Sequence, residues 1–199
     1  MKVLLLSKKI DIINRILTKE SIVGFIPTAG EVYENPSWIE EDKNLILKYG
    51  YKVRTIDITN NTKDESIQII NNVDCLYIAG GNVFYLKQQI EEKQLKETIK
   101  QFINNDKLYI GASAGSCLCA PSLEIYQTVD DPKKASKLED YTGLDIIDFA
   151  IVPHYGREKY LERHETIIKQ YNNKYPLITL KDNEALFFEK RDKYKLYSM

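Results

Sequence analysis

Histidine is scarce. The 199-residue chain carries two, His154 and His164, so acid/base chemistry near neutral pH has a very short list of carriers. Cysteine is almost as rare: Cys75, Cys117 and Cys119 are an odd number, two of them sit two apart in an apolar stretch, and no second Cys/His pair stands at metal spacing. Neither a disulfide framework nor a zinc site follows, no metal or other cofactor is expected, and a reduced, cytoplasmic setting is the expectation. Neither sign of charge dominates. Lys+Arg 28 against Asp+Glu 29 leaves a net charge of -1, which excludes a bulk field for holding nucleic acid or an anionic membrane. Long apolar runs are missing too, none approaching the roughly 18 residues of a membrane span. The first run, residues 3–6, is cut off by Lys8, Lys9 and Asp11, so it reads as a buried strand and not as a targeting segment.

What is present is ordinary globular material, 43% hydrophobic and 29% charged, which excludes disorder as the main state. The length suits one domain, residues 1–199, able to bury roughly 70% of its unfolded surface. Short β-branched runs (KVLLL, SIVGFIP, VRTIDI, DCLYIAG, KLYIG, FAIVP, LITL) alternate with longer amphipathic stretches, the rhythm of an α/β fold with a mostly parallel sheet and crossover helices. Asn35 and Pro36 are expected to cap and open one helix that Gly50 closes, Thr62 with Glu65 forms a capping box for another, and Asn82 caps a third. The segment EALFFEKRDKYKLYS reads as an antiparallel hairpin turning at Arg191-Asp192 on the sheet edge. Residues 121–142, with Asp130, Asp131, Pro132 and a lysine cluster, form a long connection of the kind that is functional or mobile.

Four features gather at strand ends. Gly111-Ala112-Ser113-Ala114-Gly115 is a G-x-S-x-G between a strand and a helix, the setting of a nucleophile elbow, with helix amides and dipole aimed at developing negative charge. Ala79-Gly80-Gly81-Asn82 follows another strand; it is a tight turn with a good cap, an oxyanion hole formed by the Gly81 and Ala114 amides, or a phosphate cradle, although neither G-x-x-x-x-G-K-[ST] nor G-x-G-x-x-G occurs. Val152-Pro153-His154-Tyr155 closes a third strand and leaves His154 at the same edge. His164, between Arg163 and Glu165, is expected on a solvated helix face. Finally, residues 180–186 carry Asp182 and Glu184 in a polar turn, where a carboxylate can fix the imidazole's tautomer.

Taken in order, FIPTAG, IAGGNVFYL, GASAGS, GLDIIDFAIVPHY and LKDNEAL resemble the dipeptidase E and cyanophycinase family of serine peptidases, a match running from about residue 25 to 186. The resemblance implies a class I glutamine amidotransferase-like fold, a flavodoxin-like three-layer sandwich with helices on both sheet faces, in which serine replaces the cysteine nucleophile. It implies a serine exopeptidase acting on short peptides, N-terminal aspartyl dipeptides being the best-known substrates, with no cofactor and with a homodimer as a compatible assembly. Carried over by position, Ser113 is the nucleophile, His154 the base, Gly81 and Ala114 the oxyanion amides, and Asp182 the acid where dipeptidase E has glutamate, with Glu184 as the alternative. Thr28, Asn82, Tyr155, Arg157 and Arg163 are the substrate-binding candidates. The family's adjacent arginines are absent from GREKYLERHE, and separated Arg157 and Arg163 do not reproduce that pair, so strict aspartyl specificity is not expected. A non-catalytic module binding small acids, or an esterase or amidase with the same triad, are the competing readings.

Overall fold

The computed structural model describes residues 1–191 and 193–198. Its strands are β1 Lys2–Leu6, β2 Ile22–Ile26, β3 Lys52–Thr55, β4 Cys75–Ile78, β5 Leu108–Ala112, β6 Ala150–Val152, β7 Leu177–Thr179, β8 Glu184–Lys190 and β9 Lys193–Ser198. Its helices are α1 Ile13–Ile16, α2 Ser37–Lys48, α3 Lys63–Asn71, α4 Val83–Glu92, α5 Lys96–Asn104, α6 Ala114–Cys117 and α7 Leu161–Tyr171. A seven-stranded sheet runs β3-β2-β4-β5-β1-β8-β9, its first five strands parallel and its last two added antiparallel.

The inner strands β1, β2, β4 and β5 are buried on both faces, as a sheet covered by crossover helices requires, whereas the edge strands β3 and β9 are largely exposed. Val3 and Leu5 enter one core while Leu4 and Leu6 enter the other, the period of two expected of a strand. Ile13 of α1 with Ile39 and Ile46 of α2 fill one core. Side chains of α3 to α7, among them Ile70, Phe84, Ile90, Ile99, Phe102, Cys117 and Ile167, fill the other. The result is a three-layer α/β sandwich.

Helix boundaries follow local chemistry with one shift. The Thr62 hydroxyl accepts from the Glu65 amide while the Glu65 carboxylate accepts from the Thr62 amide, a complete capping box. Asn82 Oδ1 accepts from the Tyr85 amide at 3.0 Å and caps α4. Gly50, at φ 89°, closes α2 with the paired bonds of a Schellman turn, Gly50 N to Leu47 O and Tyr51 N to Ile46 O. Asn35 does not cap α2. The helix begins at Ser37 with Pro36 as the cap residue, because the Pro36 carbonyl accepts the first bond, from the Ile39 amide.

Two runs leave the main sheet. FAIVP and LITL form β6 and β7, a separate two-stranded parallel sheet, so the strand-end features do not share one sheet. The reason is occupancy: β1 is flanked by β5 and by β8 of the C-terminal hairpin, and no side of it is free for β6. The hairpin itself stands on the edge as expected, and at its turn Arg191 pairs with Asp145 and Asp148; Asp192 lies outside the described residues. Residues 121–142 are anchored by short 3-10 turns at 124–128 and 132–134, by a bridge from Ser122 to Thr142, and by buried Lys87, which bonds Asp140 at 3.0 Å. Among the described residues no helix is long and apolar enough to cross a membrane.

Candidate active site

Ser113 stands at φ 47°, ψ -105° between β5 and α6, a conformation that serine keeps only when its surroundings enforce it. They do. The Ser113 amide donates to the Leu6 carbonyl at 3.0 Å, and the Ser116 hydroxyl lies 2.8 Å from Leu6 O and 2.6 Å from Gly111 O. The small flanking residues are dictated by contact: a Cβ on Gly115 would sit 2.2 Å from the Ile78 carbonyl oxygen, and one on Gly111 2.5 Å from the Gly115 backbone. The helix behind the elbow is a single four-residue turn, so the dipole expected from sequence is too short to matter and only its local amides remain.

The second glycine turn packs directly against the first. Gly81 has φ 147°, and a Cβ there would lie 2.0 Å from the Ala29 carbonyl oxygen; that carbonyl accepts from the Asn82 amide at 2.8 Å. Trp38 Nε1 donates to Gly80 O at 3.0 Å and holds the turn from the α2 side. A Cβ on Gly80 would come 3.2 Å from Ser113 Cβ. The backbone after β4 therefore lies against the elbow after β5.

His154 Nε2 is 2.9 Å from Ser113 Oγ, and its Nδ1 is 2.7 Å from Asp182 Oδ1. An ionised carboxylate only accepts, so Nδ1 carries the proton and Nε2 presents its lone pair to the serine hydroxyl. Burial lowers the pKa of His154; the Asp182 carboxylate opposes that, and the charges of Arg157 and Lys159 add to it. The imidazole is therefore neutral at pH 7 and able to accept a proton. Tyr160 stacks on it with ring centroids 5.4 Å apart. The second Asp182 oxygen lies 3.4 Å from Arg157 Nε. Ser113, His154, Arg157 and Tyr160 open onto a cavity of about 670 Å³, a size typical of small-molecule sites, lined by side chains of both charges.

A family model for peptidase family S51 matches residues 6–196. The chain belongs to peptidase family S51. This S51 chain is a serine-type peptidase. It is 32% identical over 170 residues to an uncharacterized peptidase of Listeria monocytogenes, covering 85% of this chain and 83% of that protein. It is 28% identical over 133 residues to a peptidase E of a Nostoc species, where the match takes in 67% of this chain and 52% of the longer relative. A crystal structure of a Listeria monocytogenes chain named as a peptidase E protein superposes with TM-score 0.93 at 28% identity, over 100% of this chain and 98% of that one. A peptidase from an acI-B1 actinobacterium, 17% identical with TM-score 0.73, shares the fold.

Within the S51 chain, the structure brings Ser113, His154 and Asp182 together and sets Gly81 and Ala114 beside the serine. Glu184 is placed elsewhere: its carboxylate accepts from the Lys181 amide at 2.8 Å and closes the turn. Arg157 and Arg163 line the cavity. Three substrate-binding expectations fail. Thr28 is fully buried, its hydroxyl without a partner among the described residues, because it opens a 3-10 turn packed inward. Asn82 is consumed by structure, capping α4 and donating from Nδ2 to Asp131 O at 2.9 Å. Tyr155 lies outside the cavity lining, stacked on His164.

His164 is not solvated. It is 3% exposed, packed against the rings of Tyr155 and Tyr160, and lines the cavity, with its Nδ1 buried and without a hydrogen-bond partner among the described residues. Sequence reasoning also missed Ser7, Lys8, Trp38 and Tyr160 on the lining; Asp130, from the 121–142 connection, lines it too, with its carboxyl pushed up to about 7 by burial. Ser7 and Lys8 carried a usable signal, since they follow β1 at the same strand-end edge as the other features. Among the described residues no group of three or more His, Cys, Asp or Glu is arranged to hold a metal. All three thiols are free and buried, and burial pushes Cys75 and Cys119 up to about 12 and Cys117 well above its ordinary value, so none competes as a nucleophile.

Proposed function

We propose that this S51 chain is an exopeptidase that cleaves short peptides through a Ser113–His154–Asp182 triad and an acyl-enzyme. The observation that carries the reading is the unbroken hydrogen-bonded line from Ser113 Oγ through His154 to Asp182 Oδ1 at the mouth of a cavity. Ser113 Oγ bonds to the peptide carbonyl carbon as its proton passes to His154 Nε2; the Gly81 and Ala114 amides stabilise the oxyanion. On collapse the C–N bond breaks and Nε2 gives its proton to the leaving amine. Water then attacks the ester carbonyl, Nε2 takes the water's proton, and that proton returns to Ser113 Oγ as the C–O bond breaks.

A cavity bearing Asp130 and Asp131 together with Arg157, Lys159 and Arg163 suits a short zwitterionic substrate. Arg157 is partly engaged with Asp182, which supports a tolerance wider than N-terminal aspartate, with Arg163 and Lys159 left to meet substrate carboxylates. The near-neutral net charge supports no role for nucleic acid or membrane, and three unpaired thiols support a reducing, cytoplasmic setting. A panel of dipeptides varied at the first residue, with a β-linked aspartyl peptide and an ester, tests the proposal. Hydrolysis of at least one dipeptide by wild type and its loss in Ser113→Ala are expected; full peptidase activity in Ser113→Ala sinks the assignment.

A further inference from the structure

We propose that Ser7 is the positioning residue of this site, its hydroxyl fixing the His154 backbone and through it the alignment of the imidazole between Ser113 and Asp182. The proposal rests on the triad reading above. The three side chains do not follow one sheet: Ser113 follows β5 of the seven-stranded sheet, His154 follows β6 of the small one, and Asp182 lies between β7 of the small sheet and β8 of the large one. Strand pairing therefore does not register the nucleophile against its base. That registration falls to residues 6–9, just after β1. The Leu6 carbonyl accepts from the Ser113 amide at 3.0 Å, and the Lys9 amide donates to the Asp182 carbonyl at 3.0 Å. Between them, Ser7 Oγ accepts from the His154 amide at 2.7 Å, while the Ser7 amide donates to the Glu184 carbonyl at 3.3 Å.

Three of these four ties are backbone to backbone and survive any side chain. The His154 tie alone needs a hydroxyl at position 7. Ser7 is fully buried, so removing its hydroxyl takes away the acceptor of the His154 amide at a place shielded from solvent. His154, like Ser113, sits at positive φ, 60°, outside the regions a non-glycine residue favours, so its backbone depends on its surroundings to hold its place. With that amide released, the peptide can relax and carry the ring away from a line only 2.9 Å long on one side and 2.7 Å on the other.

The test uses the full chain labelled with 15N-histidine. Only two imidazoles are present, and the signal lost in His154→Gln assigns them. Wild type is expected to show a slowly exchanging, downfield Nδ1 proton on His154. Ser7→Ala is expected to lose that signal and to lower kcat about tenfold or more with KM within about twofold, on the dipeptide that wild type cleaves fastest. Ser7→Thr, which restores an oxygen at that position, is expected to recover both. Thr62→Ala, which removes the α3 cap far from the site, is expected to lower the melting temperature and change neither readout. A wild-type Nδ1 signal and kcat in Ser7→Ala, or the same losses in Thr62→Ala, overturn the proposal. Should Ser7→Thr fail to fold, the comparison of Ser7→Ala with Thr62→Ala decides. Should wild type cleave nothing, the exopeptidase reading fails, while the imidazole signal still decides the role of Ser7.

Discussion

Replacing Asp182 with asparagine removes one charge and leaves the shape, and the structure dictates which way the new amide turns. Asp182 faces two donors: Nδ1 of His154 at 2.7 Å and Nε of Arg157 at 3.4 Å. Arg157 has no acceptor to offer, so the amide oxygen turns to it and the NH2 turns to the imidazole. Nδ1 then becomes the acceptor, the ring proton moves to Nε2, and Nε2 can no longer take the proton of Ser113. By the general behaviour of such triads the loss in kcat is on the order of 10⁴-fold, about 5 kcal/mol of transition-state stabilisation. The orientation argument has its own signature: Arg157→Met added to Asp182→Asn frees the amide to turn back, so the double variant is expected to be about tenfold faster than Asp182→Asn alone. The assay is kcat and kcat/KM on the cleaved dipeptide, with circular dichroism to confirm folding. Asp182→Asn at more than about a tenth of wild-type kcat would refute the triad assignment, and an Arg157→Met double variant no faster than the single would refute the amide orientation.

Three further outcomes follow from the site. Because burial holds His154 below its ordinary 6.5, kcat/KM is expected to fall on the acid side with an apparent pKa below that value, and an acid limb centred above pH 7 would contradict the neutral buried base. Asp130, raised from 3.8 to about 7 by burial, binds its proton more tightly folded than unfolded; its contribution is favourable at low pH and lost as pH rises through about 7. Asp130→Asn is therefore expected to gain stability over wild type at pH 8, by about 1–2 kcal/mol since part of the carboxyl faces the cavity, and little at pH 4; urea melts at both values check it, and an equal gain at both would show that the ionised form is not penalised. Gly81→Ala places a methyl 2.0 Å from the Ala29 carbonyl oxygen at φ 147°, so a loss of at least about 3 kcal/mol of stability or of about 100-fold in kcat is expected, and a near-wild-type variant would show that this turn yields easily.

Much of this was legible because it is local. The strand KVLLL splits its side chains between two cores, Thr62 and Glu65 form the capping box their spacing requires, and G-x-S-x-G makes the elbow it encodes. What sequence could not supply is where separate pieces meet. FAIVP looks like any other strand of the sheet, and only the competition for the side of β1, won by β8, sends it to a second sheet. Thr28 and Asn82 lie in the right motifs and are taken by packing and capping.

His164 shows the limit most sharply. Its neighbours Arg163 and Glu165 are charged, and chain periodicity places it on a helix, yet it is buried because Tyr155 and Tyr160, from the segment leading into α7, close over it. The same tyrosine, Tyr160, stacks on His154, so the chain's two histidines occupy one aromatic stack, and the charge of His154 further lowers the pKa of His164 beyond the effect of burial. Two imidazoles packed against one ring cannot both take a proton cheaply. Neutral His164 thus fills the stack without adding a positive charge beside His154, leaving the depression of the base to burial and to Arg157 and Lys159. A positive residue at position 164 would depress the base further, and a negative one would raise it.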